Sequence, residues 1–195
     1  MLKLKLITAP TEEPVDLEEV KDQIRVDGTD QDAFLTSQIS VARLHVEGTE
    51  LNRALVTQTW DYYLQDWPAT NYIEIPLPPL QSITSIKYTD YLGAESTMSS
   101  SDYLVDTIAE PGRVYLKWDK SWPSASLQVV NPIVVRFVAG YGAASAVPEP
   151  IRQAILLAIG SLYENRENEV LANVQKIQLE FGMESLLSSY RMRPI

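Results

Sequence analysis

The sequence predicts an α+β fold: a mainly α-helical core, built from a helical hairpin and long C-terminal helices, with a central antiparallel β-module. Three observations carry this expectation. Apolar residues recur at helical spacing before residue 56 and again after residue 147. Between those stretches, short runs rich in Val, Ile, Tyr and Trp are punctuated by Pro76, Pro78, Pro79, Pro111 and Pro123, a pattern of short antiparallel strands and turns. With 195 residues, 45% hydrophobic and 22% charged, the chain can bury a sizeable core. The expected organisation is a single domain over residues 1–195. It divides into N-terminal helices at 1–56, a β-module insertion at 57–140, C-terminal helices at 147–182 and a tail at 183–195.

In chain order, Leu2, Leu4 and Leu6 alternate with Lys3 and Lys5, the period of a strand. Asp16 precedes Leu17-Glu18-Glu19 and can cap a helix while Glu19 reaches back to it as the third residue of a capping box. That helix runs to about Val26, where Asp27-Gly28-Thr29-Asp30 breaks it. Asp30 is a second cap candidate, and Phe34, Leu35, Ile39, Ala42 and Val46 draw an apolar stripe over about 31–49. Strands follow at Thr59–Trp67, Tyr72–Ile75, Ile83–Tyr88, Tyr103–Val105, Arg113–Trp118 and Leu127–Val138, with a hairpin turn at Asp90–Gly93. Pro132 lacks a ladder donor, so it marks an edge or a break between two strands. Gly140-Tyr-Gly142 ends the β-module, and Pro148 and Pro150 suit a first helical turn. Ile151, Ala154, Ile155, Ala158 and Leu162 form one stripe, and Leu156, Leu157, Ile159 and Tyr163 cover most of the rest. A helix apolar on nearly every side is expected to be buried on nearly every side. Val170, Leu171, Val174, Ile177 and Phe181 continue at weaker helical spacing.

Residues suited to chemistry are scarce. The net charge of -10 argues against a surface that grips nucleic acid, because phosphate neutralisation needs clustered Lys and Arg. With no cysteine, disulfides, thiolate metal sites and a thiol nucleophile are excluded together. The lone His45 has no obvious second ligand and reads as a surface or core-edge residue. Gly140-Tyr-Gly142 is followed by Ala-Ala-Ser and fails the phosphate-loop pattern. The Asp27–Asp32 stretch lacks the ligand spacing of a calcium loop. No apolar run approaches the roughly 20 residues of a membrane span, and Met1–Ile7 is too short for a signal peptide. The expected state is soluble, without catalytic residues, cofactor or metal. The aromatic group Trp60, Tyr62, Tyr63 and Trp67 leaves a second possibility open, a carbohydrate- or cell-surface-binding β face. A hydrolase using two converging carboxylates is a third, though no pair stands out.

Ordered motifs then point to a family. Leu6-Ile-Thr-Ala-Pro10, Glu13-Pro-Val-Asp-Leu-Glu-Glu-Val20 and Ile24-Arg-Val-Asp27 resemble the opening of tailed-phage head–tail connector (head-completion adaptor) proteins. Arg53-Ala-Leu-Val-Thr-Gln-Thr-Trp60, Ile75-Pro-Leu-Pro-Pro-Leu-Gln-Ser-Ile83 and Val138-Ala-Gly-Tyr-Gly142 continue the match. So do Val147-Pro-Glu-Pro-Ile-Arg-Gln-Ala-Ile155, Tyr163-Glu-Asn-Arg-Glu167 and Leu186-Leu-Ser-Ser-Tyr-Arg191. The likeness spans the chain and departs mainly at 168–182.

The resemblance implies a structural subunit of a homo-oligomeric ring, usually of twelve, beneath the portal protein of a DNA-filled capsid. One face meets the portal and the other a neck, stopper or tail protein, while DNA passes through the channel without sequence-specific binding. Such proteins also occur in prophages and gene transfer agents; the expected location is the virion neck, after synthesis in a bacterial host cytoplasm, with no membrane partner. Two contact sets are expected on this basis. Ile151, Ile155, Leu156, Ile159 and Tyr163 form the subunit interface. Leu186, Leu187, Tyr190, Arg191, Met192 and Arg193 bind the portal as a tail that orders on docking, since apolar anchors with Arg favour interface hot spots. The acidic charge suits a channel wall that a polyanion must slide past.

Overall fold

The computed structural model describes residues 3–164 and 182–192. Arg193 and the stripe from Val170 to Phe181 lie outside the described residues. The chain forms two compact units, Met1–Pro10 with Thr57–Tyr141 and Thr11–Val56 with Gly142–Ile195.

The first unit is a β structure. A five-stranded antiparallel sheet has the order β1-β2-β8-β4-β5. Its strands are β1 (Lys3–Thr8), β2 (Gln58–Leu64), β4 (Leu80–Thr89), β5 (Glu95–Thr97) and β8 (Ile133–Ala139). A three-stranded sheet, β3-β7-β6, contains β3 (Tyr72–Ile75), β7 (Gly112–Leu116) and β6 (Tyr103–Asp106). The central β8 has Ile133, Val135, Phe137 and Ala139 fully buried and the residues between them half-buried, the two-residue period of a strand with one core face. Register carries that face across the sheet: Trp60 and Ile83 flank Phe137, and Tyr62 and Ile86 flank Val135. Pro132 marks a break and not an edge, because β8 starts at the next residue and lies mid-sheet. At Gly140 the backbone turns with φ of 118°, a conformation glycine adopts without steric cost.

The second unit is helical. In α1 (Leu17–Ile24), Glu19 N donates to Asp16 Oδ1 at 2.8 Å and Asp16 N donates to Glu19 Oε2 at 2.9 Å, so the expected capping box forms. The second helix, α2 (Asp32–His45), begins after Gln31 and not after Asp30, and no side chain caps it. Lys21 instead ties Asp32 back to α1 with Nζ 2.6 Å from Oδ1. A π-helical turn, Val46–Leu51, ends at Asn52 in the left-handed conformation. In α3 (Glu149–Glu164), Ile151, Ala154, Ile155, Ala158 and Ile159 are buried, the one-sided stripe of an amphipathic helix. Leu156 and Leu157 are only half-buried and Leu162 is exposed, so burial on nearly every side does not hold in this unit.

The expectation of a mainly helical core is overturned, although α+β stands. Of the described residues, 32% are helical and 28% are in strands, in two antiparallel sheets. The middle segment carries enough β-branched and aromatic residues for both sheets, and β1 adds a strand from outside it. The two sheets touch where Gly112 meets Leu80: a Cβ on Gly112 would lie 2.5 Å from the Leu80 Cβ. Gly112→Ala should therefore destabilise the fold by about 1–3 kcal/mol, measured as a shift of the urea midpoint at unchanged slope.

Candidate docking surfaces

A buried charge network organises the helical unit. The Arg43 side chain is mostly buried, and its Nε donates to Glu13 Oε2 at 2.7 Å while Nη1 donates to Glu47 Oε2 at 2.8 Å. Glu13 also accepts from Ser40 Oγ at 2.8 Å, and Glu47 Oε1 accepts Leu55 N at 2.8 Å. Burial alone would lower the Arg43 pKa, but the hydrogen bonds and charges of Glu13 and Glu47 carry it above its ordinary value. The guanidinium thus stays charged and joins three chain segments. Buried charges persist only when paired in this way.

The described tail is built into the same unit. Residues 182–187 form a helical turn that fully buries Leu187. Arg53 Nε donates to Tyr190 O at 2.5 Å, and Met192 N donates to Leu51 O at 3.0 Å. Arg191 Nε donates to Glu50 O at 3.0 Å, and its Nη2 lies 2.5 Å from Glu50 Oε2. An intramolecular clasp onto residues 50–53 replaces the free tail that composition suggested.

The predicted contact residues therefore separate by burial. Of the subunit-interface set, Ile151, Ile155 and Ile159 are wholly buried in their own unit, while Leu156 and Tyr163 are half-buried. The Tyr163 ring lies 6.4 Å from that of Phe34, linking α3 to α2. Of the portal set, Leu187 is core, Leu186, Tyr190 and Met192 are half-buried, and Arg191 is exposed. Sequence reasoning missed Val41 and Leu44 on α2, which are 50% and 58% exposed. Their spacing of three on an apolar-rich helix was the available signal. His45 sits at the surface with Nε2 3.7 Å from Glu50 Oε1.

In the β unit the aromatic residues Trp60, Tyr62, Tyr63 and Trp67 are half-buried, whereas Trp118 and Tyr91 are exposed. Trp67 stacks on Trp122 at 5.1 Å between centroids and meets Tyr88 edge-on at 5.9 Å. Trp60 and Tyr62 are half-buried on the core face of β2, and burial plus the nearby Glu74 charge push the Tyr62 phenol up. The opposite face of the five-stranded sheet is charged. Arg136 on β8 reaches Asp61 on β2 through two bonds, at 2.7 and 2.8 Å, and Lys87 on β4 lies 2.7 Å from Glu95 on β5. Exposed apolar side chains cluster at loop ends, among them Tyr91, Leu92, Val129 and Val130. Hydrogen bonds from Tyr91 N to Ser126 O at 2.9 Å and Gln128 N to Thr89 O at 3.1 Å bind those loops together. Among the described residues no group of acidic or histidine side chains could hold a metal ion, and no helix is long and apolar enough to cross a membrane. Replacing Arg43 by Met strands two carboxylates, so a loss of about 3–5 kcal/mol is expected; chemical denaturation of the variant measures it.

Comparison with known proteins supplies the context for these surfaces. Residues 14–111 match the family model described as phage gp6-like head-tail connector protein. No curated protein matches the chain. Among solved structures, a chain in the neck of an empty gene transfer agent particle, computed with C6 symmetry, superposes with a TM-score of 0.82 at 21% identity. That alignment covers 99% of this chain and 97% of the other. A chain from the virion of a native gene transfer agent particle gives 0.79 at 22% identity, covering 98% and 96%. A chain in the neck of a native particle, computed with C12 symmetry, gives 0.78 at 22% identity, covering 99% and 97%. The fold is therefore shared along nearly its whole length, and the model match spans both α1–α2 and much of the β unit. The chain belongs to the phage gp6-like head-tail connector protein family.

Proposed function

We propose that this protein is a connector subunit that works as a ring of identical copies in a virion neck, joining a portal protein to the next neck, stopper or tail component. The observation that carries the reading is the family match over residues 14–111, reinforced by a common fold with neck chains whose particles were computed with C6 and C12 symmetry. Twelve copies is the proposed number. The chain works by packing, and DNA passes without base-specific contact. Synthesis takes place in the bacterial host before the subunit joins the particle.

Within this reading the outward side chains of α2 and α3 make the subunit contact: Leu156 and Tyr163, joined by the exposed Val41, Leu44 and Leu162. Ile151, Ile155 and Ile159 support that surface from beneath. The portal contact uses Leu186, Tyr190, Arg191 and Met192, held in place by the clasp to residues 50–53, while Leu187 anchors the turn from inside. Pre-ordering lowers the entropy lost on docking.

The test is imaging and mass measurement of the full chain, alone and mixed with portal. Rings attached to portal are expected; a protein that stays monomeric and unattached at high concentration overturns the reading. Leu44→Asp should reduce ring formation without lowering the melting temperature, because the side chain is 58% exposed. Arg191→Ala should weaken portal attachment with helicity retained. By contrast, Leu187→Ala should cost about 2–5 kcal/mol of stability, the usual range for truncating a buried leucine.

A further inference from the structure

The two units differ sharply in charge. The β unit has seven basic and nine acidic residues, a net of -2, whereas the helical unit has nine basic and seventeen acidic, a net of -8. Within the β unit four of the seven basic residues share one face. Register places Lys3 and Lys5 of β1, Arg136 of β8 and Lys87 of β4 on the side of the five-stranded sheet opposite Phe137. The acids on that face, Asp61 and Glu95, are occupied by Arg136 and Lys87. Lys3 donates only to the neutral Asn131 Oδ1, at 3.0 Å, and Lys5 has no ion pair among the described residues. Two lysine charges are thus left over on an exposed strand. Lysine on an edge strand also blunts sheet-to-sheet pairing, a role that leaves both charges available to an acidic partner.

The helical unit presents the opposite pattern along α1 and the turn after it. Glu18, Asp22, Asp27 and Asp30 are exposed. Asp22, Asp27 and Asp30 have no ion pair among the described residues, and the one ion pair of Glu18 is 3.6 Å long, to Lys21. Lys21 itself turns inward to Asp32 at 2.6 Å, which leaves Arg25 as the exposed cation of the stretch.

We propose that the lysine-bearing face of the five-stranded sheet docks on the acidic α1 stretch of a neighbouring copy of this chain. The proposal rests on the ring reading above and names the surfaces that set its direction. A ring made by repeating one contact needs two different, complementary faces on each subunit, and the lysine-bearing sheet face and the acidic α1 stretch supply them. A nucleic acid is the poorer occupant: two unpaired lysines beside Asp61 and Glu95 fall short of the clustered cations that phosphate neutralisation demands. Complementary charge also suppresses wrong pairings, since sheet against sheet or helix against helix would oppose like charges.

Charge reversal with rescue tests it on the full chain. Lys3→Glu with Lys5→Glu, or Asp22→Lys with Asp27→Lys, should each weaken self-association about tenfold or more, and mixing the two variants should restore it. Wild-type association should also weaken as salt rises from about 0.05 M to about 0.5 M. The absence of cysteine allows a second readout: Lys5→Cys with Asp22→Cys should give a ladder of cross-linked multimers in assembled necks. Rings that form normally with either reversal and give no ladder overturn the proposal while leaving the ring reading intact. A wild-type protein that forms no ring, alone or in assembled necks, overturns both. Lost duplex DNA retention with unchanged self-association would assign the face to nucleic acid and overturn the proposal as well.

Discussion

The helical unit depends on Arg43 remaining charged in a mostly buried position. One guanidinium holds Glu13, which leads into α1, and Glu47, in the π-helical turn after α2. Glu47 then holds the Leu55 amide. The energy at stake is asymmetric, because a buried pair adds little net stability while a stranded partner costs much. The network therefore acts chiefly as a register device: it fixes where the segment before α1, the helix α2 and the segment after the π turn meet. The tail clasp depends on the same region, since its partners Glu50, Leu51 and Arg53 follow directly on Glu47.

The β unit is organised by pattern more than by charge. Phe137 and its neighbours on β8 occupy the middle of the five-stranded sheet, and the strands on either side follow its alternation. The same alternation puts all the charged residues of these strands on the other face. Core and contact surface are in this sense one decision, made by the period of the strand. Chains only 21–22% identical share this fold, as expected where the core asks for apolar alternation more than for particular residues.

What could be read from the sequence was what is local. The capping box at Asp16 and Glu19 joins residues three apart, and most of the buried stripe of α3 repeats within one helix, although Leu162 lies outside it. A missing donor at Pro132 left two readings, an edge or a break, of which the sheet takes the second. The proportion of strand was not readable in the same way. Short β runs carry few residues each, and β1 becomes part of a sheet only by pairing with β2, more than fifty positions on. The Arg43 network was hidden for a similar reason, as Glu13 lies thirty residues from its partner. Leu187 shows the limit for contact residues. An apolar side chain near a chain end looks the same in sequence whether it serves a partner or its own core; only its place beneath the 182–187 turn decides.

The order of strands in the larger sheet bears on how the chain comes into being. The strand at its centre, β8, is the last of the five to be synthesised, and the long-range pair β1–β2 and the hairpin β4–β5 lie on either side of it. The helical unit is closed by α3, which comes later still. Neither unit can assemble its core on the ribosome until most of the chain has emerged. Nascent chains must hold exposed strand edges for that interval, when aggregation is the competing fate. Lysines on the first strand and proline between the later ones are suited to keeping those edges apart until β8 arrives.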